Sequence, residues 1–275
     1  MKKVRTTDLR EMKARGQKIT VLTAYDANMA HLLDSAGIDV LLVGDSVGNV
    51  VLGYDTTIPV TMEDMLHHTK AVVRGVSRAL VVADMPFLSY QVSITEAVRN
   101  AGRFIQEAGA EAVKIEGGKG ILDVVNRLVE IGIPVMGHLG LTPQSIHQLG
   151  GFRRQARDSE SARLLLEDAR ALEEAGAFSI VLESIPDSVA AEVTAALRIP
   201  TIGIGAGPFC DGQVLVSSDA FGLYHGPVPS FVKQYANLRE IIVTAAEEYA
   251  REVREGEFPR PRCEAEPVTT PARKK

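Results

Sequence analysis

Four acidic side chains recur along this chain, each closing an apolar run: Asp45 after VLLVG, Asp84 after LVVA, Glu116 after AVKI and Glu183 after SIVL. Any one of them alone serves as well as a cap for a following helix. Repeated at the same place in four periods, they point into a shared site. Two unpaired carboxylates about 4 Å apart repel by roughly 4 kcal/mol at an effective dielectric of about 20, so such a cluster needs a cation or a raised pKa. A divalent metal meets that need. The donors are oxygens, with no cysteine and few histidines nearby, which favours a hard ion; Mg²⁺ keeps several waters and takes only one or two carboxylates directly. Asp45 and Asp84 are the expected direct ligands, with the longer Glu116 acting through a water.

Lys114 stands two residues before Glu116. Residues two apart on a strand face the same way, so both point inward while Val113 and Ile115 point outward. Lys114 is then an ion-pair partner for Glu116, a substrate contact, or both. Ser46, in GDSVG, is either a turn residue or part of the site. His138, in PVMGHLG, reads more readily as a satisfied core or loop histidine than as a ligand. His67 and His68 are adjacent rather than four apart, so they form no helical metal pair. The glycines of GIGAG, Gly203, Gly205 and Gly207, read first as the wall of a pocket and second as a phosphate cradle.

These groups must be positioned by buried parallel strands. Eight apolar runs, ITVLT, DVLLVG, ALVVA, EAVKI, IPVMG, FSIVL, PTIGI and VLVS, alternate with helical patterns, the signature of repeated strand-helix units. Eight units predict an α/β protein built as a closed (β/α)8 TIM barrel, whose sites form at the C-terminal mouth, where inward charge is tolerable. An open doubly wound sheet is the competitor, but TAYDANMA after the first strand offers no GxGxxG. An extra N-terminal helix in TTDLREMKARG is expected to cap the barrel bottom. A long C-terminal helix in SFVKQYANLREIIVTAAEEYAREVREGEF is expected to pack outside or against a neighbouring subunit. Between strands, TEAVRNAGRFIQEAG puts Ala97, Ala101, Phe104 and Ile105 on one stripe, with Thr95 as its cap and Gly109 as its stop. SESARLLLEDARALEEAG repeats the device, and AG pairs at Ala36, Ala108 and Ala175 mark close helix-to-strand returns.

Composition agrees. A chain of 275 residues without a Pro/Gly/Ser-rich linker fits one barrel domain over residues 1–258. The final PRPRCEAEPVTTPARKK, residues 259–275, is proline-rich and charged and is expected to be a disordered tail. With 45% hydrophobic residues the chain can bury a large core. A net charge of -5 and no Lys/Arg stripe argue against nucleic acid and for small-molecule partners. The basic N-terminus is followed by no apolar stretch of signal length, and no run approaches the roughly 20 apolar residues of a membrane span, so a cytoplasmic protein is expected. Cys210 and Cys263 have no metal-ligand spacing and are read as thiols.

The segments TAYD (23–26), VGDSVGNVVLGYDTTIPVTMEDM (43–65), ADMPF (83–87), VKIEGG (113–118), GHLGLTPQS (137–145), GIGAG with DGQ (203–213) and DAFG (219–222) together resemble the ketopantoate hydroxymethyltransferase family. The resemblance runs from about residue 5 to about residue 258. It implies a Mg²⁺-dependent barrel enzyme, a homodecamer, that takes a one-carbon unit from 5,10-methylenetetrahydrofolate to 3-methyl-2-oxobutanoate, giving 2-dehydropantoate at the first committed step of pantothenate biosynthesis. Carried over by position, Asp45 and Asp84 match metal ligands and Glu116 the water-linked third carboxylate. Ser46 and Lys114 match contacts to the 2-oxo acid, which Asp45 and Asp84 share through the metal, and Glu183 matches the general base. Two positions depart from the family pattern: Ser184 stands where cysteine is frequent, and QAR at Gln155–Arg157 replaces QGR or QGK. The second bears on the backbone freedom of a loop on the folate side. The competing functions are a carbon–carbon lyase or mutase of the phosphoenolpyruvate mutase and isocitrate lyase superfamily, which shares a GDS-type Mg²⁺ site, and a non-catalytic oxo-acid or folate binding scaffold.

Overall fold

The computed structural model describes residues 2–260. Eight parallel strands close a barrel in chain order: β1 (Ile19–Thr23), β2 (Val40–Val43), β3 (Leu80–Asp84), β4 (Ala112–Glu116), β5 (Val135–Gly140), β6 (Ser179–Glu183), β7 (Thr201–Ile204) and β8 (Gly212–Leu215). The helices are α1 (Thr6–Ala14), α2 (Ala27–Ser35), α3 (Val47–Val50), α4 (Met62–Gly75), α5 (Ile94–Gln106), α6 (Leu122–Glu130), α7 (Ile146–Leu149), α8 (Ser159–Glu174), α9 (Asp187–Ala196), α10 (Ser217–Ala220) and α11 (Leu238–Glu255). The expected (β/α)8 barrel is present.

Alternation along each strand sorts the core into two layers. Val21, Val40, Leu42, Leu80, Val82, Ala112, Met136, Val181, Ile202 and Val214 fill the barrel interior, while Leu41, Val81, Val113, Ile115, Val135 and Ile180 pack outward against the helices. Helix α1 closes the bottom as expected: Leu9 and Met12 join the interior cluster. Lys13 anchors that helix, its Nζ 2.9 Å from Asp211 Oδ2 and donating to the carbonyls of Thr194 and Ile199.

Three details differ from expectation. Helix α5 is capped by Ser93, not Thr95: Ser93 has the extended backbone that a cap requires and its Oγ accepts from Glu96 N–H at 3.2 Å, whereas Thr95 already lies in the first turn. The eighth strand begins at Gly212, two residues ahead of the VLVS run, because Ile19 of β1 pairs with Gly212. The connection from β7 to β8, Gly205 to Asp211, contains no helix. On that side the outward residues Thr20 and Gln213 remain exposed.

Helix α11 has no buried residue, and Ile241, Ile242 and Tyr249 lie more than half exposed along it. Among the described residues no helix is long and apolar enough to cross a membrane. Cys210 is a buried free thiol. Cys263 and the tail expected over 259–275, beyond its first two residues, lie outside the described residues.

Candidate active site

The C-terminal ends of β2 to β6 converge on one buried polar cluster. Asp45, just past β2, and Asp84, the last residue of β3, are joined directly, since the Asp45 backbone N–H donates to Asp84 Oδ2 at 3.1 Å. Gly44 makes that turn possible: a Cβ there would lie 2.6 Å from Ser46 Oγ. From β4, Lys114 and Glu116 both face inward, as strand alternation requires. The Lys114 ammonium stands 3.1 Å from Asp84 Oδ1 and 4.0 Å from Glu116 Oε1. Glu183 ends β6 at the rim, its side chain 17% exposed, and meets His138 Nε2 at 3.1 Å. Ser46 Oγ lies 2.8 Å from the Tyr25 hydroxyl. All six residues singled out from the sequence therefore lie at one mouth.

Three further residues hold the cluster together. His138 bridges Glu116 (Nδ1 to Oε1, 3.3 Å) and Glu183, with the Lys114 Nζ 3.1 Å from its Nδ1. Gln144 donates from Nε2 to Asp45 Oδ2 and to the Met85 carbonyl, both at 2.9 Å, and its backbone N–H donates to Glu116 Oε2 at 3.0 Å. The Tyr90 hydroxyl accepts from Glu116 N–H at 3.0 Å and donates to Gln144 Oε1 at 2.8 Å. The sequence signal for His138 was available: Met136 is interior, so the residue two further along β5 must also be interior. Gln144 lies in a single 3-10 turn after β5 (Pro143–Ser145) and Tyr90 on a loop, where no periodicity marks direction. The glycines of GIGAG let other parts of the chain approach closely, as walls of packed backbone do: Cys210 and Gln213 at Gly203, the Phe231 ring at Gly205 and Asp187 at Gly207 occupy the space a Cβ would take.

The electrostatics follow from burial of more negative than positive charge. Burial, then the charges of Asp84 and Glu116, pushes the Asp45 carboxyl up to about 8. Burial raises Asp84 as well, against the pull of Lys114. At Glu116 burial is outweighed by the hydrogen bond and charge of His138, with Lys114 and the Gln144 N–H, and the carboxyl falls below its ordinary value. Burial disfavours the Lys114 cation, but Asp84, Glu116 and Asp45 together raise its pKa. His138 loses to burial and Lys114 but gains more from Glu116 and Glu183, reaching about 9.

Asp84 Oδ1 and Glu116 Oε1 are buried without an aligned hydrogen bond, despite their ion-pair neighbours. Orphaned, inward-facing carboxylate oxygens beside a carboxyl that needs a proton to stay neutral fit a hard divalent cation. Among the described residues no three acidic, histidine or cysteine side chains form a ready-made cage. Mg²⁺ takes one or two carboxylates directly and fills its other positions with water or substrate oxygens.

A family model described as ketopantoate hydroxymethyltransferase matches residues 3–261. The chain belongs to the ketopantoate hydroxymethyltransferase family. It is 59% identical over 258 residues to the 3-methyl-2-oxobutanoate hydroxymethyltransferase of Syntrophus aciditrophicus, covering 94% of this chain and 95% of that one. As a ketopantoate hydroxymethyltransferase family member it is an enzyme of the transferase class. Two solved structures share its fold at low identity. A phosphonopyruvate hydrolase in complex with oxalate and Mg²⁺ has a TM-score of 0.61 at 15% identity, over 92% of this chain and 88% of that one. A 2,3-dimethylmalate lyase of the PEP mutase/isocitrate lyase superfamily has a TM-score of 0.56 at 18% identity, over 97% and 92%. At such identities the likeness concerns the barrel, not the reaction.

Proposed function

We propose that this enzyme transfers a hydroxymethyl unit from 5,10-methylenetetrahydrofolate to 3-methyl-2-oxobutanoate in the presence of Mg²⁺, giving 2-dehydropantoate at the first step of pantothenate biosynthesis. The observation that carries this reading is the pairing of orphaned carboxylate oxygens on Asp84 and Glu116 with a partly exposed acid, Glu183, one histidine away. Asp45 and Asp84 would hold the ion, with Glu116 linked through water. When bound, Mg²⁺ supplies Lewis-acid polarisation of the keto group, which acidifies the neighbouring C–H. Lys114 lies where a substrate carboxylate or enolate oxygen gains a full positive charge, and Ser46 offers a hydroxyl on the other side. Glu183 takes the C3 proton: the C–H bond breaks, its electron pair forms the C2–C3 double bond while the keto π pair moves to oxygen, and C3 of that enolate then attacks the folate methylene carbon as one of its carbon–nitrogen bonds breaks; water supplies the hydroxyl oxygen as the second carbon–nitrogen bond breaks, releasing tetrahydrofolate.

Residues 1–258 form the catalytic domain in this reading, and the reaction is cytoplasmic, between small molecules only. The exposed apolar face of α11 is the surface on which copies assemble, as a homodecamer by family resemblance.

The test is hydrogen exchange at C3. With Mg²⁺ and no folate, the purified enzyme is expected to replace the C3 hydrogen of 3-methyl-2-oxobutanoate by deuterium. Glu183→Gln is expected to slow this by about 10²–10⁴-fold, the usual range for a general base, while the oxo acid still binds. Cleavage of a 2-oxo or 2-hydroxy diacid would favour the lyase alternative. Binding of the oxo acid without exchange by the unmodified enzyme would favour the non-catalytic scaffold.

A further inference from the structure

His138 is the buried titratable group for which the proposed chemistry has no role, and its surroundings assign one. We infer that His138 is a positioning residue that holds the Glu183 carboxylate by one oxygen and leaves the other free for the substrate hydrogen. The inference rests on Glu183 being the base.

The ring is interior on β5, 3% exposed, and wedged between charges from both neighbouring strands. On the β4 side its Nδ1 faces the Lys114 ammonium at 3.1 Å and Glu116 Oε1 at 3.3 Å. On the β6 side its Nε2 faces Glu183 Oε2 at 3.1 Å. These contacts settle where the ring hydrogen sits. If Nδ1 accepts from Lys114, the hydrogen of a neutral ring is on Nε2; if Nδ1 donates to Glu116, only an imidazolium avoids setting a bare Nε2 lone pair against a carboxylate. Either way Nε2 carries a hydrogen and Glu183 Oε2 is its nearest acceptor. The 3.1 Å approach lies off the N–H axis, so Nε2 remains a buried donor without an aligned bond. Alignment requires the Glu183 carboxylate to move, and its side chain, 17% exposed, is the less buried of the two partners.

The Glu183 backbone is already fixed. Its carbonyl accepts from Leu141 N–H at 2.8 Å, and Gly140 keeps that approach open, since a Cβ there would meet the carbonyl oxygen at 2.2 Å. What remains free is the side-chain torsion, and among the described residues His138 is the one ion-pair partner of the carboxylate. Lys114 and Asp84 in turn hold the ring, so the direction of the base is set by the acidic cluster. The contact needs no proton delivery: an Nε2–H can donate both to a carboxylate and, more weakly, to the carbonyl oxygen of the carboxylic acid formed after proton transfer.

Amide side chains separate the two ends of the ring. The amide of Asn reaches the place of Nδ1, and that of Gln reaches the place of Nε2. His138→Asn is expected to lower the C3 exchange rate constant by about 10–100-fold, the range for a misdirected but present catalytic group, with KM for 3-methyl-2-oxobutanoate within about threefold. His138→Gln is expected to recover most of that loss. Equal rates in His138→Asn and the unmodified enzyme, or equal losses in both variants with raised KM, would overturn the assignment. A second measurement is independent of turnover: ¹⁵N NMR of histidine-labelled enzyme is expected to show His138 Nε2 bearing its hydrogen and shifting on Glu183→Gln. A bare Nε2 refutes the contact. Absence of exchange in the unmodified enzyme would instead fail the proposed function, leaving the NMR result to decide the contact.

Discussion

Strands β2 to β6 and strands β7, β8 and β1 complete the same barrel under opposite conditions. The first group carries every charged side chain of the site and is backed by α4, α5, α6 and α8. The second group adds no side chain to those ion pairs, although buried Asp219 follows β8; it is joined by a helix-free β7–β8 connection and leaves Thr20 and Gln213 exposed on its outer face. Buried charge held at fixed separations thus coincides with a wall braced from behind. The other wall carries apolar interior residues and close-packed glycines, with no ion pairs whose separations must be kept.

The sharpest way to break this contrast is Lys114→Met. It removes the cation buried among three carboxylates, and about 3–5 kcal/mol of stability should be lost, as when one partner of a buried pair is deleted. Gln213→Ala, on the exposed wall, should change stability by less than about 0.5 kcal/mol. Urea unfolding of the metal-free enzyme measures both; equal effects would erase the distinction.

Raising the pH probes the same wall. Asp45 moves from 3.8 in the unfolded chain to about 8, so its stabilising proton is fully in place below 3.8 and is lost as pH rises through 8. His138 moves from 6.5 to about 9, so its contribution is complete below 6.5 and lost as pH passes 9. Both act in one direction, and the Tm of the metal-free enzyme should fall steadily from pH 6.5 to 9. Added Mg²⁺ should raise Tm more at pH 8 than at pH 6, because the ion then displaces less proton from Asp45. A flat Tm across that window would mean that these groups are solvated.

A smaller effect is expected on α11. Ile241→Asp with Tyr249→Asp should weaken self-association by about tenfold or more, equivalent to about 1.4 kcal/mol, seen as lower mass in sedimentation with an unchanged far-UV spectrum. Unaltered mass would remove α11 from the interface. Smallest is Ala156→Gly. Ala156 has φ of 52°, which strains an L-residue by about 1–2 kcal/mol. Loss of a buried methyl (about 0.8 kcal/mol) and added freedom of the unfolded chain (about 0.4–1 kcal/mol) nearly offset that relief. Thermal unfolding should therefore register a change within about 1 kcal/mol.

Most of the barrel was legible because its strands are short apolar runs bounded by helical patterns, and the parity rule that turns Lys114 and Glu116 inward needs only the strand assignment. The acids at the strand ends were legible for the same reason. Periodicity could not reveal Gln144 or Tyr90, whose side chains enter the cluster from a 3-10 turn and a loop. By residue type alone His138 reads as an ordinary core histidine, although the parity of Met136 turns it inward. The missing β7–β8 helix went unseen since the spacing of apolar runs records strands, not what joins them. Ala156 and Ser184 both have positive φ, and Gln155 N–H donates to the Ser184 carbonyl at 2.8 Å. That contact ties the 155–157 loop to the residue following Glu183.

The ring is closed by its first and last staves. Thr23 Oγ1 accepts from the Ser217 N–H, and β1 pairs with β8 along four residues, yet the two bonded residues stand 194 apart in the chain. A ribosome must therefore synthesise almost the entire domain before the cylinder can shut, and until then the apolar lining of β1 to β7 has no lid against water. Contacts this distant in sequence are slow to form, so the newborn chain passes through an open-sided stage during which it is most exposed to aggregation.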